Sequence, residues 1–196
     1  MKSRLIKEIK EHIPFTLVAT VSAIALVIFI QFIISKNISE ESFEIFHPLH
    51  IIASAIVTSG IFYKYKKKPI QAILIGILGS VTIGTISDVI FPFLGGNILN
   101  LETRLHIPIF EETFKILLFA LIGGIIGTFG KITKIPHFVH VFLSIFASLF
   151  YLMAFSQTFN TIHFIISVAI VFTAVLIPCC ISDIIFPLIF LEKKRQ

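Results

Sequence analysis

The chain has 196 residues, of which 56% are hydrophobic and only 14% charged, with 22 Phe and no Trp, and its mean hydropathy is +1.00. Soluble domains carry about a quarter of their residues as charges, so this composition excludes an ordinary soluble globule and points to a membrane protein. The formal net charge of +5 does not signal nucleic acid, because Lys and Arg fall in short clusters between apolar runs rather than along one amphipathic surface.

Six apolar runs follow in chain order, over 14–35, 48–63, 70–93, 112–130, 138–155 and 161–190. A helix needs about 20 residues to cross the hydrocarbon core, so the second and fifth runs are short and the sixth is long enough to tilt or break. The first run follows a basic stretch, as a signal peptide would. It is long enough to span, and no small-residue cleavage pattern follows it, so it is read as an uncleaved helix. The fold class expected is all-α, a polytopic membrane protein with six transmembrane helices.

Basic residues orient such a chain. The N-terminal cluster, the Lys64 and Lys66 to Lys68 cluster, Lys131 with Lys134, and the C-terminal cluster place 13 of 16 Lys and Arg on one side of a six-span chain. The positive-inside rule then puts both termini in the cytoplasm. The loop after the first run, KNISEESFEIF, is acidic and falls on the other side; the sequon at Asn37 is taken as a chance match. Cys179 and Cys180 are adjacent within an apolar run, which rules out a disulfide framework and suits packing.

The chain also repeats itself. ISDVIFP (Ile86 to Pro92) matches ISDIIFP (Ile181 to Pro187) at six of seven residues. HPLHIIAS from His47 answers HFVHVFLS from His137 at both histidines and the final serine, and HIPF at His12 answers HIPI at His106. In chain order the offsets are 94, 90 and 95 residues, so residues 1–100 and 101–196 read as two copies of one three-helix unit. Three spans per unit is an odd number. The second copy must therefore run with opposite topology, and the two halves are expected to form inverted repeats around an axis in the membrane plane.

Placed on that topology, His47, His50, Asp88, His106, Glu111 and Glu112 fall toward the outer rim. Glu11, His12, His137, His140 and Asp183 fall toward the cytoplasmic rim. At 1.5 Å rise per residue the two clusters are expected roughly 20–25 Å apart. Histidines at i and i+3 share a helix face and can ligate one ion, with a carboxylate from a neighbouring helix completing the site. Such mixed donors accept a divalent transition metal, with Zn²⁺ or Fe²⁺ favoured. An ionised Asp at mid-membrane costs about 2.5–3.5 kcal/mol on insertion scales, so something should offset it twice.

Structural alternatives stand beside these readings. Asp88 and Asp183 can serve as interhelical hydrogen-bonding groups, with Pro92 and Pro187 ending their helices. Glu111 and Glu112 suit a helix N-terminus through its dipole, and Glu11 can pair with Lys7. Gly123 and Gly127 form a GxxxG, and Ser54 and Ser144 suit contacts between helices.

Three functions compete for these residues. The leading one is a small secondary transporter for a divalent metal, with its two clusters as stations. The others are a membrane-embedded metal-dependent hydrolase and a haem-based transmembrane electron carrier. No nucleotide-binding loop, kinase set or HExxH is present. The partners expected are the lipid bilayer and a metal ion, with no nucleic acid; a homo-oligomer is left open.

Overall fold

The computed structural model describes residues 2–34, 38–130, 134–157, 160–180 and 185–190. Among these the chain is all-helical, without a strand. Its α-helices are α1 (Lys2–Ile28), α2 (Glu40–Tyr65), α3 (Pro69–Thr85), α4 (Phe91–Ile98), α5 (Pro108–Glu111), α6 (Thr113–Gly130), α7 (Lys134–Phe155), α8 (Thr161–Cys180) and α9 (Phe186–Ile189). π-helical turns interrupt or extend them at Phe29–Ile34 after α1 and at Ile86–Ile90 between α3 and α4.

Five helical stretches among the described residues are long and apolar enough to cross a membrane: Ile13–Gln31, Glu40–Tyr65, Pro69–Ile98, Thr113–Gly130 and Pro136–Phe155. The sixth expected run, 161–190, is represented by α8 and α9, with residues 181–184 outside the described set. Large apolar side chains such as Leu17, Val18, Val21, Phe114, Ile126 and Phe129 face outward, as lipid-facing residues do.

Helix limits depart from the apolar runs in instructive ways. The second helix starts at Glu40 rather than residue 48, because Glu40 and Glu41 occupy its first turn, where carboxylates complement the helix dipole. Seven of the eleven residues of the supposed outer loop are therefore helix, and Pro48 sits inside that helix. The third run does not stop at residue 93; its span continues to Ile98. Pro92 therefore does not end the helix, and the π turn before it is the reason. The Phe91 N–H bonds to the Ile86 carbonyl five residues back, so the wider turn absorbs the proline.

Helix α2 is the hub, packed against α3, α6 and α7. Its span is 72% buried and that of α7 67%, against 28% for the span in α1 and 33% for α6, so α2 and α7 form the interior. The two run antiparallel. Phe43 meets Tyr151 and Phe155, Phe46 meets Phe146 and Phe150, and His50 meets His140, one helix rising as the other descends. The GxxxG of α6 is used within the chain: Gly123 and Gly127 let α6 close on the Ile52 and Ile56 carbonyls of α2.

At the rim where α2 begins and α7 ends, the segment after α4 folds back along α7. Its backbone is tied by Arg104 N–H to Phe155 O (2.8 Å) and by Gln157 N–H to Leu101 O (3.1 Å). Asn100 and Glu102 take positive φ of 55° and 50° to make this turn.

Candidate metal centre

Asp88 lies in the π turn, and Ser87, Asp88 and Val89 are all buried. Three consecutive buried residues need packing on more than one side, which α7 and α8 supply, with His47 and His50 of α2 bonded to Asp88. One Asp88 oxygen, Oδ2, accepts Nδ1–H of His47 at 2.9 Å and Nδ1–H of His50 at 2.5 Å. The other, Oδ1, accepts the hydroxyls of Ser87 (2.8 Å) and Ser144 (2.9 Å). The carboxylate thus has four donors drawn from α2, its own turn and α7, which offset the penalty of placing it in a membrane interior.

The ligand atoms of His47, His50 and Asp88 lie within 4.8 Å of one another, and all three residues are buried. An ionised carboxylate only accepts, so both Nδ1 atoms carry hydrogen. This leaves Nε2 of His47 and Nε2 of His50, and each is buried without a hydrogen-bond partner. Buried polar atoms are usually satisfied, and Gln31, Thr85, His163 and Ser167 each hold another that is not. Here each imidazole keeps a ring nitrogen to spare.

The second HxxH pair joins this site instead of forming a distant one. His140 stacks on His50 with ring centroids 4.6 Å apart and planes 10° apart, which corrects the expected separation of the two motifs. His137 lies one turn away, 6.2 Å from His140 by centroid, and its Nε2 is 2.8 Å from Thr16 Oγ1 on α1. The physical reason is helix length. Because α2 begins at Glu40, His47 and His50 sit roughly 10–15 Å down the helix at 1.5 Å per residue, deep enough to meet α7.

The remaining candidates are distributed around the site. His106 pairs with Glu111 (Nδ1 to Oε1, 2.9 Å) at the rim, separated from His47 by the ring of Phe43. Glu112 does not join them; it pairs with Lys115 at 2.7 Å, one turn along its helix. Glu11 is half-buried on α1, five residues before Thr16. His12 lies in α1, outside the residues whose side chains are described, and Asp183 lies outside the described residues altogether.

Several contributors do not stand out in the sequence. Thr16, Phe43, Ser87 and Ser148 carry no motif there, and Ser144 reads as a packing residue. A signal for two of them is present all the same. His47, His50, Ser54 and Thr58 on α2, and His137, His140, Ser144 and Ser148 on α7, recur at the same helical spacing, and all eight are buried. Each stripe is a polar line on an otherwise apolar helix. Ser148 serves the backbone of the π turn. Pro92 has no N–H and Phe91 bonds to Ile86, so the Ser87 carbonyl lacks a helical donor, and Ser148 Oγ donates to it at 3.1 Å.

Comparison with protein-family models, with curated proteins and with solved structures finds no match to this chain.

Proposed function

We propose that this protein binds a divalent transition metal, Zn²⁺ or Fe²⁺ by its donor set, at His47, His50 and Asp88, and carries it across the bilayer as a small secondary transporter. The observation that carries the reading is the buried group of His47, His50 and Asp88, whose ligand atoms lie within 4.8 Å of one another, inside a chain with membrane-length helices. Asp88 aligns both rings and offsets the charge of the ion; imidazole and carboxylate together suit these metals.

Transport is favoured over catalysis by where the site lies. His47, His50 and Asp88 are 0–1% exposed, at the seam of the antiparallel helices α2 and α7 that carry the two HxxH copies. Ion sites in inverted-repeat transporters lie at such a seam, where rocking of one half against the other opens either side in turn. A closed site is an expected stage of that cycle. Haem is disfavoured because His47 and His50, one turn apart on one helix, cannot approach an iron from opposite faces.

The six-span count, the inverted relation of residues 1–100 and 101–196, and cytoplasmic termini belong to this proposal. Their support is the antiparallel course of α2 and α7 and the matching polar stripes.

The test is flux. Proteoliposomes enclosing a metal-responsive dye should take up external Zn²⁺ or Fe²⁺ with the wild-type protein and should not with D88N or H50A. Uptake by D88N at the wild-type rate contradicts the proposal.

A further inference from the structure

The rim above the buried site carries a second pair of metal-binding side chains that the central cluster does not use. His106 is 8% exposed and is held on three sides. Its backbone N–H donates to the Tyr151 hydroxyl (3.1 Å), and that hydroxyl donates to the Arg104 carbonyl (2.9 Å), which fixes the segment against α7. Its ring lies flat on Phe155, centroids 4.8 Å apart and planes 13° apart. Nδ1 reaches Glu111 Oε1 at 2.9 Å, and the Glu111 side chain is 58% exposed. The pair therefore has its carboxylate exposed and its imidazole inside.

One side chain touches both this imidazole and His47. Phe43 is fully buried, stacks on His47 at 5.3 Å and sets its ring edge-on to His106 at 5.9 Å. Tyr151 and Phe155 pack edge-on against it from α7. Arg104, two residues before His106, is engaged by Glu40 at 2.7 Å, which limits its repulsion of an arriving ion.

We propose that His106 and Glu111 form a capture station for the divalent cation, and that the Phe43 ring is the gate between this station and the buried His47/His50/Asp88 site. The inference rests on the metal-transport reading above. Two donors, one of them in water, give a weak and rapidly exchanging site, which suits capture; an ion moving inward must pass the ring that touches both imidazoles. A carboxylate at a mouth also raises the local cation concentration and hence the association rate.

The experiment is stopped-flow mixing of Co²⁺ with the full chain in detergent micelles, following the visible absorption of the bound ion. H106A and E111Q should slow association about tenfold at sub-saturating Co²⁺ while leaving the final absorbance unchanged, as rim charges act on arrival more than on the bound state. F43L, which keeps an apolar side chain but removes the ring, should speed association. Wild-type rates in E111Q, or an unchanged or slower rate in F43L, would overturn the gate and its station; E111Q alters an exposed side chain and settles the matter even where H106A does not fold. A wild-type protein with no Co²⁺ absorption defeats the metal reading itself, whereas absorption that D88N abolishes, with unaltered rates in H106A and E111Q, defeats only this inference.

Discussion

Asp88 gathers donors from three directions, and each has a different role. The two imidazoles, bonded to one oxygen, are the proposed ligands, whereas Ser87 and Ser144 hold the carboxylate in place from the other oxygen. Groups that orient a metal ligand through a hydrogen bond typically set its affinity by about 10–100-fold. S144A should therefore weaken metal binding within that range, measured by titration, and lower stability by about 1 kcal/mol through the lost buried hydrogen bond. Unchanged affinity with lowered stability would reduce Ser144 to a packing role. Because a ligating imidazole must give up its lone pair to the ion rather than to a proton, metal affinity should also rise with pH; a pH-independent affinity would argue that the imidazoles are not ligands.

At the scale of the helix, two devices bring these residues together. The π turn at Ile86–Ile90 lets the span carry Pro92 without stopping, and the close approach of α6 to α2 presses the seam from behind. A Cβ at Gly127 would overlap the Ile56 carbonyl and the Ser59 hydroxyl, backbone and short side chain that cannot swing aside. G127A should thus destabilise the protein by about 1–3 kcal/mol, as overpacking does. G130A, where the nearest atom is Ile126 Cγ2 at 3.9 Å, should be neutral. Thermal unfolding of both variants in detergent checks the pair, and equal melting would show that the α2–α6 crossing is not tight.

Helix boundaries also explain what is legible in the sequence. The spans announce themselves through uninterrupted apolar runs, and the pairing of HPLH with ISDVIFP follows from two motifs placed near the same rim. The convergence of His50 and His140 is not legible. Starting each helix at its first apolar residue leaves out the charged first turns at Glu40 and Lys134, and so puts both HxxH motifs too near the surface. Phe43 is hidden for another reason. One Phe among 22 has no chemical signature until its neighbours are known.

For the molecule as a whole, the proposed transport requires that the segment after α4 and the turn between α2 and α3 lie on opposite sides of the bilayer. Arg104 and Lys67 are both at solvent-facing positions in those segments. In intact cells, R104C should react with a membrane-impermeant maleimide and K67C should not; labelling of both from outside contradicts the topology. The central claim is simpler than the topology: this membrane interior is built around an ion. Elemental analysis of the detergent-purified full chain tests it most directly. A stoichiometric transition metal, Zn or Fe, is expected in the wild-type protein and its loss in H50A and D88N under the same purification, whereas negligible metal in all three, after incubation with either ion, would contradict the claim.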